Sequence, residues 1–211
     1  MHLPFDREAF AALFASYGQA IWPVQLVAGV LGASAIIALI VRGNRADQII
    51  TVILACMWLA TGVGYHLLVF ATINKAAYLF AVLFMVQAAA FTSLAVARSP
   101  PKFGFPGGIA GWLGIAMLAY AMVLYPLVGL AAGQSYWTIP AFGLTSCPVT
   151  LFTFGLLLLT TAHVPNWLLV IPGLWSLIGG SAAFFLGMPQ DWPLLLGGAI
   201  AIATIHLREQ A

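Results

Sequence analysis

The groups able to do chemistry in this chain are few: four histidines, two cysteines and five carboxylates among 211 residues. Tyr65, His66, Thr145, Cys147 and Asp191 are the ones whose positions suggest a shared site. His66 with Cys147 offers an imidazole and a thiol, a soft pair suited to Cu(I) or Zn. One histidine and one cysteine are only half a metal site, and no paired-cysteine spacing supplies the rest. His66 reads more simply as an aromatic-belt residue bonded to a backbone carbonyl, and Cys56 and Cys147 as small packing groups. His66 is also the side chain that switches charge near neutral pH, with Asp191 as its counter-charge. His163 and His206 have the chemistry of axial haem ligands, although histidines at helix ends are more simply solvated. This set assigns no cofactor.

The elements that must position these groups are apolar. The chain is 63% hydrophobic and 6% charged, against about 25% charged for a soluble domain. A hydrocarbon core of roughly 30 Å is crossed by about 20 apolar residues in a helix. Seven stretches suit that length, at 21–41, 49–71, 76–97, 109–131, 144–162, 167–186 and 192–207. The expectation is an all-α, polytopic transmembrane bundle of seven spans. The net charge of +2 gives no reason to expect nucleic acid; the partner is the lipid bilayer, with a homo-oligomer or larger membrane complex possible.

The start of the chain does not read as a cleavable signal, because no clean basic segment precedes an apolar one. Instead, residues 4–17 predict an amphipathic helix, with Pro4 in its first turn and Phe10, Leu13, Phe14 and Tyr17 at helical spacing. Such a helix lies in the membrane interface. The organisation that follows is an interfacial helix over 1–20, a first three-helix half over 21–97 and a Pro/Gly linker over 98–108. A fourth span with an aromatic loop covers 109–143, and a second three-helix half covers 144–211. Pro23 with Pro148, and Trp58 with Trp175, mark a possible three-one-three parallel repeat of the kind some transporters have.

Lys and Arg in the short loops set the orientation. Arg42, Arg45, Arg98, Lys102 and Arg208 fall on one side, Arg7 and Lys75 on the other. This predicts an outer N-terminus and a cytoplasmic C-terminus. No carboxylate lies at mid-depth to relay a proton, and no lysine lies there to form a Schiff base. These absences argue against a carboxylate-driven pump and against a retinal protein. Tyr65, His66, Thr145, Cys147 and Asp191 all fall near the outer ends of their spans. They are expected to converge on one small ligand cavity, because an unsatisfied polar group in hydrocarbon costs several kcal/mol.

Several segments together resemble a family of small bacterial multi-span membrane proteins known only as a domain of unknown function. They are Ala20-Ile21-Trp22-Pro23, Thr61-Gly62-Val63-Gly64-Tyr65-His66, Ile73-Asn74-Lys75-Ala76-Ala77-Tyr78 and Tyr125-Pro126-Leu127. Phe142 through Pro148, Phe152-Thr153-Phe154-Gly155 and the stretch from Trp175 to Trp192 complete the set. The resemblance implies a bacterial inner-membrane protein and brings no activity, substrate or site. Pro189-Gln190 is weakly similar to the motif of seven-span PQ-loop transporters, but the first half of the chain lacks a second such pair.

The favoured function on these grounds is a transporter or channel-like permease for a small neutral or weakly charged solute. The alternatives are an accessory or binding subunit that holds a lipid, pigment or haem, and a membrane-embedded enzyme using His66 with Cys147 or Asp191. Cavity shape separates them. A polar cleft reaching mid-membrane between the two halves favours transport, and a solid core with a flat apolar flank favours a subunit.

Overall fold

The computed structural model describes residues 5–210, and they form a helical bundle. The helices are α1 (Arg7–Ala20), α2 (Trp22–Val41), α3 (Ala46–Ala60), α4 (Ala77–Val96), α5 (Gly108–Ala119), α6 (Tyr125–Ala131), α7 (Ser146–Leu158), α8 (Asn166–Gly180), α9 (Ala182–Phe185) and α10 (Trp192–Gln210). A π-helical segment, Thr61–Leu67, continues α3, and another, Tyr120–Leu124, joins α5 to α6. The second ends two residues before Pro126. Proline lacks a backbone donor and crowds the preceding turn, so a widened turn there relieves the clash.

Five helical runs are long and apolar enough to cross a membrane: Trp22–Val41, Ala46–Thr72, Ala77–Val96, Gly108–Ala131 and Asn166–Phe185. The seven expected crossings are thus met in part. The fifth expected span is the 13-residue α7, about 20 Å long at 1.5 Å per residue. The seventh, α10, ends in His206, Arg208, Glu209 and Gln210 and is not among the five.

Position in the bundle explains the short helix. Every residue of α7 is buried, with α3, α5, α8 and α10 packed around it. Its exposed carbonyl end is closed by other segments rather than by water. The Arg208 guanidinium donates to Leu158 O at 3.1 Å and Thr160 O at 2.8 Å, and Thr161 N donates to Lys102 O at 2.7 Å. A cationic side chain suits the negative end of a helix. By contrast, α2 buries only Ala28, Gly32 and Ala35 and turns Leu26, Val30, Ile37 and Ile40 outward.

Polar groups inside the bundle join helices. Trp58 Nε1 donates to Thr153 Oγ1 at 2.9 Å, tying α3 to α7, and Gln87 Nε2 donates to Leu168 O at 3.1 Å, tying α4 to α8. Small residues let α8 pack closely on α10, where a Cβ on Gly180 would lie 2.7 Å from that of Leu195. Arg42, Lys102 and Arg208 gather at one end of the bundle. Asp47 accepts from Phe103 N at 2.9 Å and pairs with Lys102 at 3.3 Å, at the end where Arg42 and Arg208 also lie.

The three-one-three repeat gains no support from its marker residues. Trp58 and Trp175 both pack on Phe84, at 4.4 and 5.1 Å between rings. Pro23, however, is exposed on peripheral α2, whereas Pro148 is buried in central α7. A repeat would give these prolines like surroundings.

The amphipathic helix forms with Asp6 as its N-cap, whose carboxylate accepts from Ala9 N at 2.8 Å; Pro4 lies outside the described residues. Phe10, Leu13, Phe14 and Tyr17 are its buried face, as their spacing predicts. The helix does not merely lie beside the bundle. At one end Arg7 Nε donates to Phe185 O at 3.3 Å. At the other, Gly18 lets it approach the chain so closely that a Cβ would lie 2.8 Å from Trp137 O.

Candidate functional site

Beneath α1 lies a chamber of about 180 Å³. Its walls are mainly aromatic: Phe10 and Phe14 from α1, Tyr65 and Phe70 from the end of the α3 run, Phe80 from α4 and Trp175 from α8. Tyr65 is stacked between Phe14 and Phe70, with ring centroids 5.3 and 5.5 Å away. Trp175 meets Phe80 edge to face at 5.2 Å. One part of the wall is polar and comprises Thr145, Ser146, Cys147 and Asp191.

Local structure puts each polar group there. Thr145 is the extended residue that starts α7, so Ser146 and Cys147 fall in its first turn. Asp191 ends the 3-10 turn Pro189–Asp191 that leads into α10. That turn is anchored by Gln190, which is fully buried and exchanges hydrogen bonds of 2.8 and 3.2 Å with Gln134. Thr145 Oγ1 is turned back to Ala141 O at 2.8 Å.

Asp191 is 2% exposed. Oδ1 accepts from the Tyr125 hydroxyl at 2.6 Å, and the Cys147 thiol lies beside the same carboxyl. Among the described residues the ion pairs are Lys102–Asp47 and His163–Glu209, so no cationic side chain meets Asp191. Burial pushes its pKa up from 3.8 to about 7, although the donors Tyr125 and Cys147 pull the other way. On the lid, burial pushes the Tyr17 phenol up to about 12, and its hydroxyl donates to Leu144 O at 3.1 Å.

Of the five residues expected at the site, Tyr65, Thr145, Cys147 and Asp191 line this chamber. His66 does not. Successive side chains of the π-helical turn Thr61–Leu67 point in different directions, so with Tyr65 in the wall, its neighbour turns behind it. His66 is fully buried, 5.0 Å from the Trp175 ring and 4.7 Å from Phe84, and neither ring nitrogen has a hydrogen-bond partner. It is not bonded to a backbone carbonyl, and it neither pairs with Asp191 nor bonds to Cys147. Among the described residues no three of His, Cys, Asp and Glu gather as a metal site. His163 Nδ1 lies 2.9 Å from Glu209, and His206 Nδ1 lies 2.8 Å from Ile202 O, so both histidines are engaged as surface and helix-end groups.

Sequence reasoning missed Tyr125 as the partner of Asp191 and Trp175 as a wall. Trp175 carries a buried Nε1 with no hydrogen bond, facing the Cys147 sulfur. The available signal was that a buried carboxylate needs a donor and Tyr125 lies at a comparable depth in its helix.

Chemically, the chamber can enclose a small apolar body and meet one polar group of it at the Cys147–Asp191 corner. The thiol has no imidazole bonded to it, so the Cys–His pairing of an activated nucleophile is absent among the described residues. No curated protein and no solved structure matches the chain. One family model matches residues 7–211, almost the whole chain, and the protein therefore belongs to DUF6064, a family of unknown function.

Proposed function

We propose that this protein is a membrane-embedded binding protein that holds one small, mostly apolar ligand in the chamber beneath α1. One observation carries the reading: the chamber is aromatic-walled and backed by tightly packed core. Trp58, Phe84, Thr153 and Phe154, all fully buried, occupy the bundle interior. The clefts at the other end, around His163 and Glu209 and around Arg42 and Asp47, are lined by separate residues. A permease needs a second conformation that opens this core, so cavity shape favours binding over transport. Pockets of this kind, apolar with a few polar groups, are where proteins hold small molecules.

The same reading places all seven long runs across the bilayer, with short α7 shielded by its neighbours. The five basic residues of the Arg42 end face the cytoplasm by the usual charge bias, in a bacterial inner membrane. In this reading α1 (Arg7–Ala20) is an interfacial lid on the helices that follow it.

Native mass spectrometry of the purified protein tests the binding reading. The expected result is a retained small-molecule mass that is lost in Ile178→Trp, a substitution at the partly exposed rim of the chamber. Absence of any retained mass, or retention unchanged by that substitution, would overturn it.

A further inference from the structure

We infer that the ligand is a small organic cation, an alkylated or quaternary ammonium, caged by aromatic rings with Asp191 as its counter-charge. This rests on the binding reading above and names the chemistry of the same chamber.

The first support is the isolation of Asp191. A carboxylate removed from water needs an opposite charge or it is costly to ionise. Asp191 is 2% exposed and meets no cationic side chain among the described residues. Its protein neighbours instead prepare it as an anion: Tyr125 donates to it at 2.6 Å, and the Cys147 thiol lies beside it. A bound cation supplies the missing charge. An anionic ligand would meet repulsion there.

The second support is the aromatic wall. Ring faces attract cations through their quadrupole, best from within about 6 Å of the ring centre. Phe70, Phe80 and Trp175 line the same chamber as Asp191, and Trp175 stands at 79° to Phe80. Rings set at right angles form corners that suit a rounded, alkylated ammonium rather than a flat ligand. The volume of about 180 Å³ suits a small alkylated ammonium. The charges of the α1 rim balance in sign: Arg7 against the capping Asp6 and Glu8, with Lys75 beyond.

The test compares choline with 3,3-dimethylbutan-1-ol, its uncharged isostere, by titration calorimetry on the full chain in nanodiscs. Choline is expected to bind at least about tenfold more tightly, since one cation–π contact in a dry site contributes on the order of 1–2 kcal/mol and tenfold is about 1.4. Asp191→Asn should weaken choline by about tenfold or more and narrow its advantage over the isostere, because the counter-charge is lost while the rings remain. Phe80→Leu, which keeps the carboxylate and removes one ring, should weaken choline selectively. Equal binding of the two molecules to the unmodified protein, no choline binding, or full choline affinity in both variants would each overturn the inference. Equal binding, or a retained mass without choline binding, would leave the binding reading in place. Absence of both would remove the two together.

Discussion

The Tyr125 hydroxyl donates a 2.6 Å hydrogen bond to Oδ1 of Asp191, joining the start of α6 to the turn before α10 across 66 residues of chain. Both groups are almost fully buried. Removing the hydroxyl leaves a buried carboxyl oxygen without its donor. Tyr125→Phe is expected to lower stability by about 1–3 kcal/mol, read as a lower midpoint of thermal unfolding in detergent. An unchanged midpoint would mean that water or another side chain takes over the bond.

The same carboxyl sets a pH dependence. Asp191 titrates near 7 in the folded chain, against an ordinary value of 3.8. The folded state therefore holds this proton more tightly than the unfolded state. The contribution to stability is full below about 4, falls as pH rises through about 7 and is level above that. The phenols of Tyr125, Tyr65 and Tyr120 and the Cys147 thiol, which surround it, have no ordinary titration in that window. Asp191→Asn should flatten the fall in stability between about pH 4 and 7 relative to the unmodified protein. Parallel curves would show that the slope arises elsewhere.

Arg208 is expected to hold the end of the central helix. It bonds Leu158 O and Thr160 O and reaches Thr160 Oγ1 at 3.0 Å. Arg208→Met keeps the apolar stem and removes all three bonds. Bonds to a charged group contribute about 1.5–3 kcal/mol each at most, so a loss of about 2–3 kcal/mol is expected by chemical unfolding. Arg208→Lys should restore only part of it, since one ammonium cannot reproduce the fork.

Gly18 governs how tightly α1 closes the chamber. A Cβ at this position would lie 2.8 Å from Trp137 O, a backbone atom that cannot swing away. Gly18→Val should lift that end of the helix. With Cys56→Ala removing the other thiol, Cys147, now 8% exposed, should react faster with a membrane-permeant maleimide by about tenfold or more, a shift of about 1.4 kcal/mol in the opening equilibrium. An unchanged rate would show that α1 does not control access.

Orientation is open to a direct check. Ser99 is exposed just after α4, at the basic end of the bundle. In a background without Cys56 and Cys147, Ser99→Cys should resist an impermeant thiol reagent applied to intact cells. Rapid labelling would place the basic end outside.

Much was legible in the order of residues alone. Apolar runs without charges mean membrane helices whatever their neighbours, because chain length against hydrocarbon thickness is a local quantity. The buried face of α1 was readable from Phe10, Leu13, Phe14 and Tyr17, since interface and bundle differ in polarity and leave a period. The common depth of Tyr65, Thr145, Cys147 and Asp191 was readable from counting along each span. Only the tertiary structure decided which helix is central. Lipid tails are as apolar as a protein core, so wholly buried α7 and largely exposed α2 carry similar apolar compositions. Rotation about each helix was equally hidden: Tyr65 enters the chamber and His66, one residue on, is turned behind the wall among aromatic rings. The Tyr125–Asp191 bond depends on two distant helices packing in one register, and no local pattern encodes that meeting.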